Sequence, residues 1–252
     1  MLHIRVIPCL LLKNGGLVKT VRFANPKYVG DPINAVRIFN EKEVDELILL
    51  DIEASRLGNQ PDYERIQDIV SEAFMPVAYG GGVTRVEQAQ NLVSLGVEKV
   101  VINTAALQGL DLVREIADHL GSSSTVVAMD VKKNWRGRYH LFCSATGRET
   151  QIDPVEHIKR AVAAGAGEIF VNDVVRDGTG SGYDLELVRR VTASVDVPVI
   201  ACGGAGILEH LQEAVTAGAS AVAAGSMFVY VGKHRAVMIN YPRRDQLQKI
   251  FK

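Results

Sequence analysis

The sequence predicts an α/β protein, a (β/α)8 or TIM barrel built from two duplicated (β/α)4 halves. Eight short apolar runs alternate with amphipathic stretches, a pattern typical of parallel strands buried on both faces. Landmarks of the first half also recur at one constant spacing in the second, since Pro76 recurs as Pro198 and Gly82 as Gly204. Eight β/α units in 252 residues fit the usual length of one such barrel.

The predicted strands are rich in β-branched residues. In chain order they are RVIPCLL, ELILLDI, MPVAYG, KVVIN, TVVAMDV, EIFVND, VPVIACG and AVAAGSM. Two segments do not fit the alternation, and we interpret them as a loop over residues 13–30, after the first strand, and an irregular stretch over 134–150, after the fifth. Both follow strand C-terminal ends, where barrels of this class build their active sites.

Helix starts carry their own local signals. Asp31 and Asp153 each precede a proline, which predicts an N-cap followed by proline at the first helical position. Thr84 followed by Glu87 predicts a capping box at a third helix start. The intervening stretches are therefore expected to be helices, such as DPINAVRIFNEK, VTRVEQAQNLVSLG and DLELVRRVTASV.

Composition predicts a single domain over residues 1–252, with half-barrels at about 1–122 and 123–252. A net charge of −1 gives no reason to expect nucleic acid or a membrane surface as partner. No apolar run approaches a membrane span and no secretory signal is evident, so we expect a cytoplasmic protein. The three widely spaced cysteines and the six histidines show no ligand spacing, and neither a metal nor another cofactor is expected.

Glycine-rich strand ends occur in both halves of the chain. Backbone N–H groups at such ends can close around a phosphate, although a single glycine cluster often serves only a tight turn. Two clusters at matching positions favour a phosphorylated small molecule with a phosphate at each end. The predicted phosphate-binding residues are Gly82, Asn103, Thr104, Asp177, Gly178, Gly204, Gly225 and Ser226.

Several motifs resemble one known family in order and spacing, from RVIPCL at the start to AAGSMF near position 228. They are LLDIEAS, YGGGV, VINTAA, VVAMDVK, RDGTGSGYDLEL and PVIACGGAG. The chain is similar to the cyclase subunit (HisF) of imidazole glycerol phosphate synthase. The resemblance implies a barrel that receives ammonia from a glutaminase (HisH-like) subunit docked under its N-terminal face. It also implies that the ammonia passes along the barrel axis to a bis-phosphorylated ribulosyl substrate.

In that family, two aspartates at the ends of strands 1 and 5 act as general acid and base. The strand 5 acid is present as Asp130, but Leu11 stands at the strand 1 position. Losing one positioned acid or base typically lowers the rate by about 10² to 10⁴, so we expect weak cyclase activity. Three further positions near the chemistry also depart from the family pattern: Asn172, Val175 and Cys202.

A charged set at the opposite ends of the strands matches the family's ammonia gate. It consists of Arg5, Glu46, Lys99 and Glu168. The alternative is four ordinary charges facing solvent at strand entries. Lys19, after the first strand, matches a lysine that helps to position substrate in the family, although a lysine in a loop is more often solvated.

An intact gate with an altered acid favours one branch of the family, the AglZ/WbuZ-type proteins of acetamidino modification. The C-terminal stretch GKHRAVMINYPRRDQLQKI also resembles that branch. There the barrel supplies ammonia for a surface-polysaccharide (lipopolysaccharide) sugar, and an ATP-dependent sugar amidotransferase is a further expected partner.

Three alternatives remain open from the sequence. The first is a working cyclase of histidine biosynthesis that replaces the lost acid with Asp51 or Glu53. The second is a single-subunit phosphosugar isomerase, which needs an acid/base pair across the same two strands and so meets the same difficulty at Leu11. The third is a non-catalytic barrel that binds a bis-phosphate.

Overall fold

The computed structural model describes residues 4–251, and its strands and helices alternate as the sequence predicts. The strands are β1 (Arg5–Lys13), β2 (Gly16–Val21), β3 (Ala24–Gly30), β4 (Leu47–Asp51), β5 (Val77–Gly80), β6 (Lys99–Ile102), β7 (Thr125–Lys133), β8 (Tyr139–Cys143), β9 (Arg148–Glu149), β10 (Glu168–Asp173), β11 (Val199–Cys202), β12 (Ala221–Ala224), β13 (Tyr230–Val231) and β14 (Ala236–Val237). The helices are α1 (Pro32–Glu41), α2 (Ala54–Leu57), α3 (Tyr63–Val70), α4 (Val86–Ser94), α5 (Thr104–Gln108), α6 (Asp111–Leu120), α7 (Pro154–Ala163), α8 (Leu185–Thr192), α9 (Leu208–Thr216), α10 (Ser226–Val229) and α11 (Arg244–Ile250).

Eight parallel strands close into a barrel in the order β1, β4, β5, β6, β7, β10, β11 and β12. Closure comes from the parallel pairing of β12 with β1, where Arg5 lies beside Ala221, and from the pairing of β7 with β10. The predicted fold class and all eight predicted strands are therefore confirmed. Four barrel strands come from each half of the chain.

Side chains of the barrel strands alternate between two apolar layers, as the two-residue period of a strand requires. Val6 and Leu10 of β1 pack outward against the helices, whereas Ile7 and Cys9 point into the barrel. The interior is filled by a small cluster of buried side chains. Its members are Ile7, Cys9, Ile48, Ala78, Val101, Val126, Ala128, Phe170, Ile200, Cys202, Ala221 and Ala223.

Two of the three predicted helix caps are confirmed. Asp31 Oδ1 accepts a hydrogen bond from Asn34 N at 3.0 Å, and Asp153 Oδ1 accepts from Val155 N at 2.9 Å. The Thr84–Glu87 capping box is wrong. Helix α4 starts later than predicted. The side chain that reaches back to the helix start is therefore that of the buried Gln88, which accepts a hydrogen bond from Thr84 N at 2.8 Å, while Glu87 is exposed.

Replacing a cap aspartate tests these local signals. Because Asp153 accepts from the backbone of two residues in the first turn of α7, Asp153→Ala leaves those donors without their partner. We expect a loss of about 1 kcal/mol in the free energy of unfolding, measured by urea denaturation. Asp118→Ala, at an exposed position of α6, is the control and should change stability by less than half of that. Equal losses for the two variants would contradict the capping role.

The prediction of a loop over residues 13–30 is wrong, because this segment forms β2 and β3. Strand β2 pairs antiparallel with β1, and Asn14 and Gly15 make the two-residue turn with φ of 50° and 73°. Asn-Gly favours such turns because both positions need a positive φ. The stretch after the fifth strand likewise forms β8 and β9, with β8 pairing antiparallel with β7. Both hairpins rise beyond the barrel rim and place side chains over its carboxyl end.

No helix within residues 4–251 has both the length and the apolar character needed to cross a membrane.

Candidate active site and charged ring

Four charged side chains form a closed ring at the amino end of the barrel. The Arg5 guanidinium donates hydrogen bonds to both Glu46 and Glu168. The Lys99 ammonium lies 3.1 Å from Glu46 Oε1 and 2.8 Å from Glu168 Oε2. Cations and anions therefore alternate around the axis, and both carboxylates are buried. These residues are not four separate solvent-facing charges.

Above the ring, the barrel interior is lined by the small apolar cluster given above. Phe170 is its largest member, and β12 contributes only the small side chains of Ala221 and Ala223. Cys9 and Cys202 lie in the upper part of this cluster, and their thiols contact each other. The interior thus joins the charged ring at one end to a polar site at the other.

Asp130 is the buried acid at the carboxyl end of the barrel. Its Oδ2 accepts a hydrogen bond from Asn103 Nδ2 at 2.8 Å, and Ser144 and Asn172 also bond to the carboxyl group. Burial raises the pKa of Asp130 to about 7, although the three hydrogen bonds act in the opposite direction. At neutral pH, both protonation states are therefore populated, which suits a group that transfers protons.

The shifted pKa of Asp130 predicts a pH-dependent stability. The folded pKa lies near 7 and that of an exposed aspartate near 4. The contribution of Asp130 to the free energy of unfolding is therefore fully present below about pH 4 and is lost as the pH rises through about 7. Asp130→Asn does not titrate, so the difference between its free energy of unfolding and that of the wild type should change in favour of the variant by roughly 1.4 kcal/mol for each pH unit of this window.

Urea unfolding of both proteins at pH 4, 6 and 8 measures that difference. Asp173 and Asp177, whose pKa values are also raised by burial, are common to both proteins, so the difference reports Asp130 together with its repulsion by Asp177. A difference that stays constant with pH would contradict the assignment.

Leu11 occupies the strand position that faces the site from β1. It pairs in register with Leu50 of β4, and both side chains pack on the barrel's interior cluster. Asp51 pairs with Leu12, one position on, and so points to the other face of the sheet. There its Oδ1 accepts from Glu53 N at 2.9 Å, while the Glu53 carboxylate binds Lys13 at 3.0 Å. Neither acid takes the place of the missing aspartate.

The predicted phosphate site of the first half lies beside a cleft of about 860 Å³, lined by Gly82 and Thr104 among others. Gly82 has a φ of +72°, and a Cβ there would lie 2.5 Å from Asn59 O, so only glycine fits. Its N–H donates to Ser55 Oγ at 3.3 Å. Asn103, by contrast, directs its side-chain amide toward Asp130.

The predicted phosphate site of the second half involves Gly204, Gly225 and Ser226. Gly204 approaches Gly182 closely, since a Cβ would lie 2.1 Å from the Gly182 carbonyl oxygen. Gly225 leaves room for Lys19, whose ammonium would lie 2.5 Å from a Cβ there. The structure thus brings Lys19 to this site.

Lys19 lies in β2 and is buried, not solvated in a loop. Its ammonium donates to the carbonyl oxygen of Cys9. Burial lowers the pKa of Lys19, while the nearby Cys9 and Asp177 act in the opposite direction.

Asp177 and Gly178 hold the β2–β3 hairpin against the barrel. Asp177 Oδ2 accepts from Thr20 Oγ1 at 2.8 Å and from Phe23 N at 3.3 Å. A Cβ at Gly178 would lie 2.3 Å from Thr20 O, so the hairpin backbone passes directly over this glycine. Asp177 and Gly178 therefore hold the β2–β3 hairpin in place over the carboxyl end of the barrel.

Some site residues were not predicted as binding or catalytic groups. Asn172, named above only as a departure from the family pattern, and Asp173 end β10, and Asp173 Oδ1 accepts from Val175 N at 2.8 Å. The polar pair after an apolar run at a strand end was the signal available for them. Ser144, which bonds to Asp130, and Ser55 lie in segments without periodicity, where no comparable signal exists.

Fold and site together define a (β/α)8 barrel with a charged ring at one end of its axis and the buried acid Asp130 among the polar groups at the other. Closely packed glycines follow barrel strands in both halves, at Gly82 and Gly204. The chain belongs to the family described as histidine biosynthesis protein, which matches residues 5–235.

Named relatives agree with this membership. The chain is 55% identical to the "Putative imidazole glycerol phosphate synthase subunit hisF2" of Pseudomonas aeruginosa, over 98% of this chain and 99% of that relative. It is 46% identical to the "Putative imidazole glycerol phosphate synthase subunit HisF" of Leptospira interrogans, over 100% of both chains. It is 42% identical to the "Imidazole glycerol phosphate synthase subunit HisF" of Streptomyces coelicolor, over 90% of both. The predicted resemblance to HisF is thereby confirmed at the level of the family.

Proposed function

We propose that this chain is a HisF-like synthase subunit that receives ammonia from a glutaminase partner and delivers it through the barrel. The observation that carries the proposal is the closed ring of Arg5, Glu46, Lys99 and Glu168 around the axis. Buried charges are costly unless paired, so an ion-pair ring at the entrance of an apolar interior calls for a function. Controlling the entry of a small neutral molecule such as ammonia is a function that fits this arrangement.

The acceptor of the ammonia is a phosphorylated small molecule at the carboxyl end. Support comes from glycine sites in both halves, at Gly82 and Gly204, and from the buried Lys19 beside Gly225. Backbone N–H groups and one cation suit a ligand with two phosphates. Asp130, at the same end of the barrel, would move a proton on the bound acceptor.

Ring closure should be slow in this protein. Leu11 cannot transfer a proton, and Asp51 and Glu53 are engaged on the other face of the sheet. One acid with a pKa near neutrality can serve one proton transfer at a time. We therefore propose a subunit whose ammonia delivery is retained and whose imidazole-forming activity is weak.

Two roles for the delivered ammonia are considered, histidine biosynthesis and acetamidino modification of a sugar. The names of the relatives quoted above favour the histidine pathway, because each is a subunit of imidazole glycerol phosphate synthase. None of those names mentions a polysaccharide or an acetamidino group. The acetamidino role, with a sugar amidotransferase as second partner, rests on Leu11 and the C-terminal stretch alone.

Complementation separates the two destinations. In a strain lacking its cyclase subunit, the histidine role predicts growth without histidine when this chain is expressed, and the acetamidino role predicts none. A glutamine-dependent assay on an N-acetylated nucleotide sugar, with the neighbouring glutaminase and amidotransferase, then tests the second role. A product that gains nitrogen without this chain would exclude it from that reaction.

Ammonia delivery itself is tested with glutamine labelled with ¹⁵N in its side-chain amide. We expect this chain to bind a HisH-like glutaminase, to stimulate glutamate formation and to pass labelled nitrogen to the acceptor. Glu98→Gln, at an exposed carboxylate beside the ring residue Lys99, should leave binding, stimulation and nitrogen transfer unchanged. Failure to bind or stimulate any glutaminase would defeat the proposal and leave the barrel as a passive bis-phosphate binder.

A further inference from the structure

Arg235 lies beside the predicted phosphate site of the second half of the chain, in the turn between β13 and β14. Its Nη1 donates a hydrogen bond to the carbonyl oxygen of Gly178 at 3.3 Å. Within residues 4–251 this is the one hydrogen bond of the guanidinium, and no carboxylate there forms an ion pair with it. Its other N–H groups and its charge are therefore available to a ligand.

The Tyr230 ring holds this guanidinium from another side. Arg235 Cζ lies 4.5 Å from the centroid of that ring, which is a cation–π contact. Tyr230 follows directly on α10, and α10 begins at Ser226, another of the predicted phosphate-binding residues. The contacts with Tyr230 and Gly178 thus keep the guanidinium close to two chain segments of the second-half site.

The backbone at Arg235 would suit a glycine better than an arginine. Its φ is 51°, in the left-handed region that glycine adopts without steric cost. Arg235 N donates to Gly232 O at 3.0 Å and so closes a tight turn. The turn itself gives no reason for an arginine at this position, which favours a function for the side chain.

The backbone N–H of Gly178 is a second free donor at the same place, because it donates to no group within residues 4–251. Arg235 Nη1 lies 3.3 Å from Gly178 O. The nitrogen and oxygen atoms of one residue are about 3 to 4 Å apart, so the two donors lie within about 7 Å of each other. One phosphate spans that distance when two of its oxygens accept hydrogen bonds of about 2.9 Å.

The charges around this turn favour an anion. Lys233 and His234 are exposed in the same turn. The neighbouring acid faces elsewhere, since Asp177 Oδ2 accepts from Thr20 Oγ1 and Phe23 N and is directed to the β2–β3 hairpin. A guanidinium matches the geometry of phosphate oxygens and forms charge-assisted hydrogen bonds with them.

We propose that Arg235, with the N–H of Gly178, binds the phosphate group of the acceptor at the second-half site. The inference rests on the proposed function, which places a phosphorylated ligand there. It adds a second cation to Lys19 and makes Arg235 a specificity-determining residue for ligands phosphorylated at that end. The family match ends at residue 235, so the hairpin that presents this arginine is completed by a strand outside that match.

The test is a titration of the isolated chain with inorganic phosphate at constant pH, followed by NMR of the ¹⁵N-labelled protein. Triple-resonance spectra assign the backbone amides of Gly178 and Gly82, and Arg235→Asn assigns the side-chain Nε signal of Arg235. We expect the Gly178 and Arg235 signals to shift in a saturable way with one common Kd. Sodium chloride at the same ionic strength should not reproduce the shifts.

The variant Arg235→Asn should weaken phosphate binding at Gly178 by about tenfold or more, because it removes a charge-assisted hydrogen bond. Asparagine tolerates a positive φ, so the turn is kept. The Gly82 signal, at the other predicted phosphate site, should titrate as in the wild type. Lys233→Asn is the matched control, since it removes the same charge from the same turn, and it should leave the affinity at Gly178 unchanged.

Two outcomes overturn the inference while the acceptor site of the proposed function stands. The first is a Gly178 signal that shifts with phosphate while the Arg235 Nε signal does not. The second is an unchanged affinity at Gly178 in Arg235→Asn, or an equal loss in Lys233→Asn, which would leave Arg235 with a structural contact or a general charge effect only.

A different outcome would count against both proposals. If phosphate shifts neither the Gly178 nor the Gly82 signal, the inference fails together with the phosphorylated acceptor of the proposed function. No glutaminase is present in this titration, so ammonia delivery is decided separately by the labelled glutamine assay.

Discussion

The substitution Leu11→Asp is expected to raise the rate of imidazole ring formation by about 10² to 10⁴. It restores a carboxylate on β1 that faces the site opposite Asp130, so that one group can donate a proton while the other accepts one. Leu11 is only half-buried, and the added charge has room to be solvated. The measurement is steady-state formation of imidazole glycerol phosphate with ammonium salt as nitrogen source, which removes any dependence on a glutaminase.

Leu50→Asp is the matched control. Leu50 pairs with Leu11 in register and has similar exposure, but it adds the carboxylate one strand away. We expect no comparable gain from it. An unchanged rate in folded Leu11→Asp, or an equal gain in Leu50→Asp, would show that the leucine is not what limits ring closure.

Neutralising both carboxylates of the charged ring should be the most destabilising change at the base of the barrel. The variant Glu46→Gln/Glu168→Gln leaves Arg5 and Lys99 close together without anionic partners. Breaking a buried ion pair costs about 3 to 5 kcal/mol. The two cations retain some exposure, so we expect a loss near the lower end, measured as the free energy of urea unfolding.

A charge-balanced variant separates pairing from the mere loss of carboxylates. Glu46→Gln/Lys99→Gln removes one anion and one cation and leaves Arg5 paired with Glu168. It should lose much less stability than the double carboxylate variant. If both variants lose under about 1 kcal/mol, as exposed pairs do, then the ring is not a coupled buried network.

Much of the fold could be predicted because each strand and helix has a local cause. Apolar runs such as TVVAMDV fix buried strands, and Asp31 and Asp153 fix two helix starts. The hairpin after β1 was missed because neither of its strands alternates between buried and exposed residues: residues 17–20 of β2 are all buried, whereas β3 is mostly exposed. Its Asn14-Gly15 turn was a readable signal that favoured a hairpin from the start.

The site was predictable only where chemistry and strand ends coincide. Asp130, Gly82 and Gly204 stand at such ends, and the structure places them there. The contact of Lys19 with Cys9 was not predictable, because it depends on how the β2–β3 hairpin folds over the carboxyl end of the barrel. The same holds for the amides of Asn103 and Asn172, which both reach Asp130 only because β6 and β10 flank β7.

We propose that this barrel keeps an ammonia entrance and lacks the second acid of ring closure. The decisive quantity is the ratio of imidazole glycerol phosphate to glutamate, formed from glutamine and the bis-phosphorylated ribulosyl substrate with a HisH-like glutaminase. We expect stimulated glutamate formation with less than about one cyclised product per hundred glutamates. A ratio near one, or glutamate formation that does not respond to this chain, would contradict it.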